Sequence, residues 1–242
     1  MTPSRTEPSS IAALFNSIAP SYDRLNHLLS LGIDKSWRRR AIKLIANPSR
    51  PQQILDIACG TGDFSITLAR KAHPQAHVTG IDLSEGMLQV MRQKVAKTGL
   101  QGKISAQLGN SEQLPFPDKS FDCASIAFGI RNFAHREAAL AEILRVLKPG
   151  GKLVILELSV PQNRLLRALY SFYFVRILPL IGGLVSGNRS AYRYLPASVL
   201  KFPQKQEWMQ TMRNCQFVQV SHRSLTLGIC RLYAAQRPIN QQ

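Results

Sequence analysis

A chain of 242 residues with 45% hydrophobic content can bury a substantial core, and that length suits one domain with added segments better than two. Cys59, Cys123, Cys215 and Cys230 show no C-x-x-C pairing. This argues against a zinc site and a disulfide framework, predicts no metal, and fits a reducing cytosol. The formal net charge is +17, and its distribution says more than its size. Residues 51–159 carry 12 Lys/Arg against 10 Asp/Glu, residues 1–50 carry 8 against 3, and residues 160–242 carry 11 against 1. A nearly neutral centre with basic flanks points to a polyanionic neighbour, either nucleic acid or an anionic membrane face.

Residues 1–10 are polar, hold two prolines and read as a flexible tail rather than a leader peptide. Residues 11–50 read as a helical N-terminal lid. Ile11, Leu14, Phe15 and Ile18 recur at helical spacing, as do Tyr22, Leu25, Leu28 and Leu29. Pro20 separates the two helices and Gly32 ends the second. Trp37 follows, and Arg38-Arg39-Arg40 opens another helix over 41–46.

The core segment, 51–159, begins with Ile54-Leu55-Asp56-Ile57-Ala58-Cys59-Gly60-Thr61-Gly62-Asp63. It reads as a strand buried on both faces, a glycine turn, and a helix running to Lys71. Backbone N–H groups at such a helix N-terminus face a nucleotide-type ligand. A dinucleotide fingerprint needs a third glycine, but Ser65 stands there. Asp82 closes the next apolar run 22 residues after Gly60, where an acid grips a ribose. A ribose acid without a full pyrophosphate cradle fits S-adenosylmethionine. Its carboxylate would lie by Gly60 and Gly62, and its ammonium by an acid such as Asp56.

Ser84 caps a helix with Met87, Leu88, Met91 and Val95 on one face and Gly99 at its close. Met87 faces the strand end where adenine would lie. Residues 104–108 form a third strand, followed by Gly109-Asn110-Ser111-Glu112. A loop over 114–122 leads to a fourth strand over 123–128, which ends in Gly129-Ile130-Arg131-Asn132. A helix over 137–147 stops at Lys148-Pro149-Gly150-Gly151, a structural turn before a fifth strand over 152–159. Alternating strands and helices imply an α/β fold with a mostly parallel, doubly wound sheet. The strand ends Cys59, Asp82, Asn110, Phe128 and Ser159 would then surround one cleft.

Residues 160–203 read as a basic, aromatic cap. The greasy stretch 165–185 holds Arg167, Arg176, Pro179 and Gly182-Gly183, which excludes a membrane span. Tyr170, Phe172, Tyr173 and Phe174 suit a pocket wall, an interfacial surface or plain core packing. Residues 204–237 read as a helix and a β-hairpin around Leu227-Gly228, completing the sheet with an antiparallel edge.

Several blocks carry a family resemblance spanning residues 14–236. They are Phe15-Asn16-Ser17-Ile18-Ala19-Pro20-Ser21-Tyr22-Asp23, residues 56–63, Leu114-Pro115-Phe116-Pro117-Asp118, Phe128-Gly129-Ile130-Arg131-Asn132, residues 145–151, and Tyr192-Arg193-Tyr194-Leu195. The chain resembles the ubiquinone/menaquinone biosynthesis C-methyltransferase family (UbiE/MenG). The resemblance implies a class I methyltransferase (Rossmann-like) fold, S-adenosylmethionine as methyl donor and a polyprenylated quinol as acceptor, with demethylmenaquinol favoured. The benzoquinol intermediate of ubiquinone biosynthesis is the alternative. Thr61, Asp82 and Asn110-Ser111 match family cofactor positions, although alanine often stands where Ser111 does. A serine of some members is Ala127 here, and any side-chain hydrogen bond it makes is not carried over.

Methylating a ring carbon needs electron density there, which a quinol supplies once a ring hydroxyl loses its proton. Arg131 would stabilise that phenolate, and the resemblance implies that the Arg131-Asn132 pair assists deprotonation. Tyr22, Asp23 and His27 on the lid are further candidates. The acceptor's prenyl tail implies an anionic membrane surface as partner and a cytoplasmic protein held peripherally on the membrane's inner face. A nucleic-acid methyltransferase is the more remote reading. No base-methylase D/N-P-P-Y/F block follows strand four, so no nucleic-acid partner is expected. The sequence leaves homo-oligomerisation open.

Overall fold

The computed structural model describes residues 8–178 and 189–239, with side chains from Ser9 and again from Tyr194 onward. Most of the tail, residues 179–188 of the cap, and the Tyr192 and Arg193 side chains lie outside the described residues.

Among the described residues seven strands form one sheet: β1 Gln53–Ile57, β2 His77–Asp82, β3 Ile104–Leu108, β4 Phe121–Ala127, β5 Leu147–Leu158, β6 Val218–Leu225 and β7 Cys230–Gln236. Their order is β3-β2-β1-β4-β5-β7-β6. Strands β1 to β5 pair in parallel, and β7 runs antiparallel to both β5 and β6. The order reverses between β1 and β4, the point at which a doubly wound sheet opens a ligand crevice.

Helices cover both faces. On one lie α3 Ile33–Ile45, α4 Asp63–Lys71 and α5 Glu85–Thr98, burying Trp37, Ile42, Phe64, Leu68 and Met91. On the other lie α6 Arg136–Val146 and α9 Gln206–Asn214, burying Leu140, Ile143, Trp208 and Met212. The strand residues alternate as a two-faced sheet requires, Ile54 entering the first cluster and Leu55 and Ile57 the second. The helix α5 begins and ends on local signals: Ser84 Oγ accepts from Met87 N at 3.2 Å, and Gly99 closes it at φ 67°.

Two further helices, α1 Pro8–Ile18 and α2 Tyr22–Leu29, are joined by a 3-10 turn over Ala19–Ser21 that contains Pro20. They meet α7 Arg164–Phe172 and α8 Arg189–Lys201 in a third, smaller cluster that includes Leu25, Met87, Phe174 and Val199. From α7 the chain continues as a π-helical turn over Tyr173–Ile177. No helix among the described residues is long and apolar enough to cross a membrane.

Two local expectations need correction. Arg38-Arg39-Arg40 lies within α3 rather than before a helix, because Gly32, at φ 73°, already starts that helix. The Lys148-Pro149-Gly150-Gly151 turn sits inside β5 as an irregularity. Leu147 pairs with Phe121 and Lys152 with Cys123, so four residues loop outward, with Gly150 at φ 74°.

Candidate active site: a donor cleft and an apolar chamber

The first cleft forms where β1, β2, β3 and β4 end, and Gly60, Asp82, Met87, Asn110, Ser111, Phe128 and Asn132 line it. Gly60 and Gly62 adopt φ 56° and 82°, values that let the turn fold tightly onto α4. The Gly60 N–H donates to Asp82 Oδ2 at 2.8 Å and the Ser84 N–H to Oδ1 at 2.9 Å. Burial raises the Asp82 pKa, and these backbone donors oppose the rise. Asp82 lines the cleft with its carboxylate held by these backbone donors, where a ribose diol would meet it. Asn110 and Ser111 stand on the next strand end, with the apolar flanks Ile81, Leu83 and Met87 between them. The donor set fits an adenosine.

The lid closes this cleft from above. Ile11, Ala12 and Phe15 of α1 line it, and Asn16 Oδ1 accepts from Ser84 Oγ at 2.6 Å and from the Gly86 N–H at 2.9 Å. On the opposite rim Glu112 accepts from the His135 N–H at 2.9 Å. The motif reading missed Ile11, Phe15, Glu112 and Phe133 as cleft residues, since nothing local marks an α1 residue as folding over a strand end.

Three expected donor contacts lie behind the cleft. Asp56 is 1% exposed and accepts from Ser65 Oγ at 2.5 Å and Ser125 Oγ at 2.8 Å, so it does not face a ligand ammonium. Burial pushes its pKa up to about 6 despite those two hydrogen bonds. Thr61 is buried and donates to Asp23 Oδ1 at 2.5 Å, and Gly62 packs on Met91. Of the strand ends, Cys59 turns into the core beside Met91, and Ser159 donates to the Gly228 carbonyl at 2.5 Å.

Asp23 is likewise no chamber acid. Its second oxygen takes Lys94 Nζ at 2.8 Å, and Lys94 also binds Asp63. His27 continues this network, with Nε2 3.1 Å from Asp63 and Nδ1 2.9 Å from Asp34. Together these contacts tie α2 and α3 to the glycine turn.

A second cavity, about 310 Å³, lies beyond the first. Its walls are Leu29, Leu31, Ile33 and Trp37 of the lid, Tyr170, Tyr173 and Phe174 of the cap, and Thr226 and Ile229 of the hairpin turn. Tyr22 and Phe128 line both spaces and form the partition between them. Phe128 holds φ 62°, a conformation a bulky residue adopts only when its surroundings impose it. Its ring meets Trp37 at 6.2 Å and the Arg38 guanidinium at 5.3 Å. Burial raises the Tyr22 phenol, against the pull of the Arg131 and Arg38 charges.

Arg131 faces the chamber rather than the donor cleft; its neighbour Asn132 takes the cleft side, where Tyr194 Oη donates to its Oδ1 at 3.0 Å. The Arg131 guanidinium is fixed from three directions. Nη1 donates to Glu157 Oε1 at 2.7 Å and to the Phe128 carbonyl, and Nε donates to Ser198 Oγ at 3.3 Å. Glu157 is 0% exposed. Burial works against the Arg131 charge, and the Glu157 carboxylate outweighs it. Glu157 was not among the expected site residues; the signal that could have found it is a lone acid in the apolar run of β5.

Residues 3–237 match the model of the ubiE/COQ5 methyltransferase family. The chain is 48% identical over 227 residues to the ubiquinone/menaquinone biosynthesis C-methyltransferase UbiE of Geobacter sulfurreducens, covering 94% of this chain and 88% of that one. It is 47% identical over 225 residues to the demethylmenaquinone methyltransferase of Bacteroides fragilis, covering 93% and 91%. Among solved structures, an S-adenosylmethionine-dependent methyltransferase of Thermotoga maritima superposes with a TM-score of 0.67 at 20% identity, covering 94% and 99%. Fold, cleft and sequence agree: the chain belongs to the ubiE/COQ5 methyltransferase family.

Proposed function

We propose that the protein C-methylates the ring of a polyprenylated quinol, demethylmenaquinol in the first place, with S-adenosylmethionine as donor. The observation that carries this reading is the junction of the two cavities. A cleft carrying Asp82, Asn110 and Ser111, suited to an adenosine, abuts an aromatic-walled chamber across Tyr22 and Phe128, and Arg131 and Arg38 bring positive charge to that chamber. The volume suits a small ring system, at the lower end of ligand cavities. The relative named demethylmenaquinone methyltransferase at 47% identity supports a naphthoquinol acceptor, and the relative at 48% is named for both quinones.

Bound in the cleft, S-adenosylmethionine supplies an electrophilic methyl on a sulfonium. Asp82 would hold the ribose, and Asn110 and Ser111 would flank the base. On the acceptor, Arg131 favours the phenolate by charge, and the ring hydroxyl's proton passes to water. The ortho carbon would then take the methyl, the sulfur keeping the bonding pair as a thioether, and the ring C–H proton would pass to water as the ring oxygen regains a proton, restoring the aromatic quinol. Lid and cap keep bulk water from the chamber and hold the ring in line.

The chamber opens at Leu31, which lines it and is 82% exposed. Leu28, Leu165, Leu169, Phe172 and Leu227 are exposed on the neighbouring lid, cap and hairpin elements, among Arg24, Lys35, Arg164 and Arg167. Apolar side chains amid basic ones suit an anionic bilayer surface, each cation contributing about 1 kcal/mol, and the prenyl tail would lead from the chamber into lipid. The protein on this reading works peripherally on the inner face of the membrane.

The test is incubation with labelled S-adenosylmethionine and short-prenyl naphtho- and benzoquinols in separate arms, with product mass measured. Methyl transfer to the naphthoquinol is expected; transfer only to the benzoquinol moves the assignment, and transfer to neither refutes it. Vesicle co-sedimentation indifferent to anionic lipid and salt would refute the docking.

A further inference from the structure

Arg38 of α3 uses only one end of its guanidinium. Its Nε donates to Asp34 Oδ2 at 3.3 Å, and the group lies over Phe128, 5.3 Å from the ring centroid. Nη1 and Nη2 make no hydrogen bond among the described residues, yet neither is a buried atom. The side chain is aimed rather than loose: it is 14% exposed, and Asp34 is itself held by Ser30 Oγ at 2.8 Å and His27 Nδ1 at 2.9 Å. Burial raises the Asp34 pKa, but the Ser30 and His27 hydrogen bonds outweigh it, so the group backing Arg38 is a carboxylate. The Arg38 charge also acts on Asp56 and Asp63, the acids on either side of the glycine turn. An unused donor fork therefore stands beside that turn, directly behind the partition.

The amino-acid arm of S-adenosylmethionine ends in a carboxylate that needs such a fork. The glycine N–H groups expected to meet it are spent within the protein: Gly60 donates to Asp82 Oδ2 at 2.8 Å and Gly62 to the Cys59 carbonyl at 3.0 Å. With the adenosine at Asp82 and the sulfonium at the partition, the arm leaves the sulfur past Phe128. It then meets the corner of the chamber that Ser30, Asp34 and Arg38 line, and the aromatic wall is left to the acceptor. We propose that Arg38 binds the carboxylate of the donor's amino-acid arm through Nη1 and Nη2. This rests on the donor half of the reading above, not on the choice of acceptor. A guanidinium fork matches a carboxylate in geometry as well as in charge. Anchored at the ribose by Asp82 and at the carboxylate by Arg38, the donor has its sulfur fixed between two points, and its methyl faces the acceptor across Tyr22 and Phe128.

The experiment is calorimetry on the full-length protein without acceptor. The ligands are S-adenosylmethionine and its decarboxylated analogue, which keeps the adenosine, the sulfonium and the ammonium. The wild type should bind S-adenosylmethionine about thirtyfold more tightly than the analogue, the scale of a hydrogen bond between charged groups. Arg38→Met should lose most of that preference by weakening S-adenosylmethionine alone, and its affinity for the analogue should match or exceed that of the wild type. Arg38→Lys, with the charge but not the fork, should fall between the two. A wild type that binds both ligands equally overturns the proposal without any variant. A purely structural role would make Arg38→Met weaken both ligands by the same factor, and that result overturns it as well. Unchanged donor affinities in Arg38→Met with a raised quinol KM also overturn it and move Arg38 to the acceptor. Since no acceptor enters the measurement, failure of the quinol assignment leaves the expected preference in place. A wild type that binds neither ligand removes the functional reading and this proposal together.

Discussion

Replacing Glu157 by glutamine tests the central electrostatic claim of the site. The carboxylate is wholly buried and accepts from Arg131 Nη1 at 2.7 Å, the Arg131 N–H at 3.2 Å and the Leu158 N–H at 2.8 Å. Glutamine keeps the volume but has one oxygen. If that oxygen serves Nη1 and Leu158, the amide NH2 opposes the Arg131 N–H, donor against donor. Removing one partner of a buried ion pair costs about 3–5 kcal/mol. The Phe128 carbonyl and Ser198 hydroxyl still hold the guanidinium, so E157Q should fall at the low end, about 3 kcal/mol. Urea unfolding at pH 7 should show a midpoint lowered by about 1 M, taking a slope at the upper end for small proteins. The double variant E157Q/R131M removes the stranded charge and should recover most of that loss. The double variant should lose methyl transfer, because it has no Arg131 cation, and E157Q should be slowed, because its guanidinium keeps only the Phe128 and Ser198 contacts. An E157Q protein unfolding at the wild-type midpoint would refute the reasoning, as would a double variant whose loss is the sum of the two singles.

Three further perturbations follow from the same geometry. The folded-state pKa of Asp56 is raised to about 6, so the native protein holds that proton longer than the unfolded chain does. Stability from this group is full below about pH 4 and is lost as pH rises through 6, by about 3 kcal/mol for a shift of about two units. Asp56→Asn should flatten that slope and exceed the wild type in urea midpoint above pH 7; an unchanged slope contradicts the assignment. Asn16→Ala frees α1 from Ser84 and Gly86 and should weaken S-adenosylmethionine binding about fivefold by calorimetry, the scale of one net hydrogen bond. Gly62→Ala places a Cβ 2.5 Å from Met91 Cγ at φ 82° and should cost about 2–4 kcal/mol in thermal or urea unfolding. Gly102→Ala, with open space around it, is the neutral control.

The parts of the site legible in the chain are those whose physics is local. The apolar run of β1, the glycines after it and the acid ending β2 lie within thirty residues of one another, and short-range sterics make them a strand, a turn and an acid at the cleft edge. The helix from Ser84 to Gly99 carries its own start and stop signals, and alternation of elements sufficed for a parallel sheet with an antiparallel edge.

What each charged side chain touches was decided elsewhere, by strand register and by helices that return from far along the chain. Asp56 faces Ser125 because β1 and β4 pair in that register, so an acid that reads as a ligand contact is sealed inside the sheet. Asp23 serves Thr61 and Lys94, 38 and 71 residues away, and Arg131 points to Glu157 across β4 and β5. Tyr170 becomes a chamber wall only once the lid and the hairpin turn close around it. Backbone preference and hydrophobic period act over a few residues and can be read in one dimension. A buried charge must instead find its counter-group wherever packing brings one near, and that choice exists only in three dimensions.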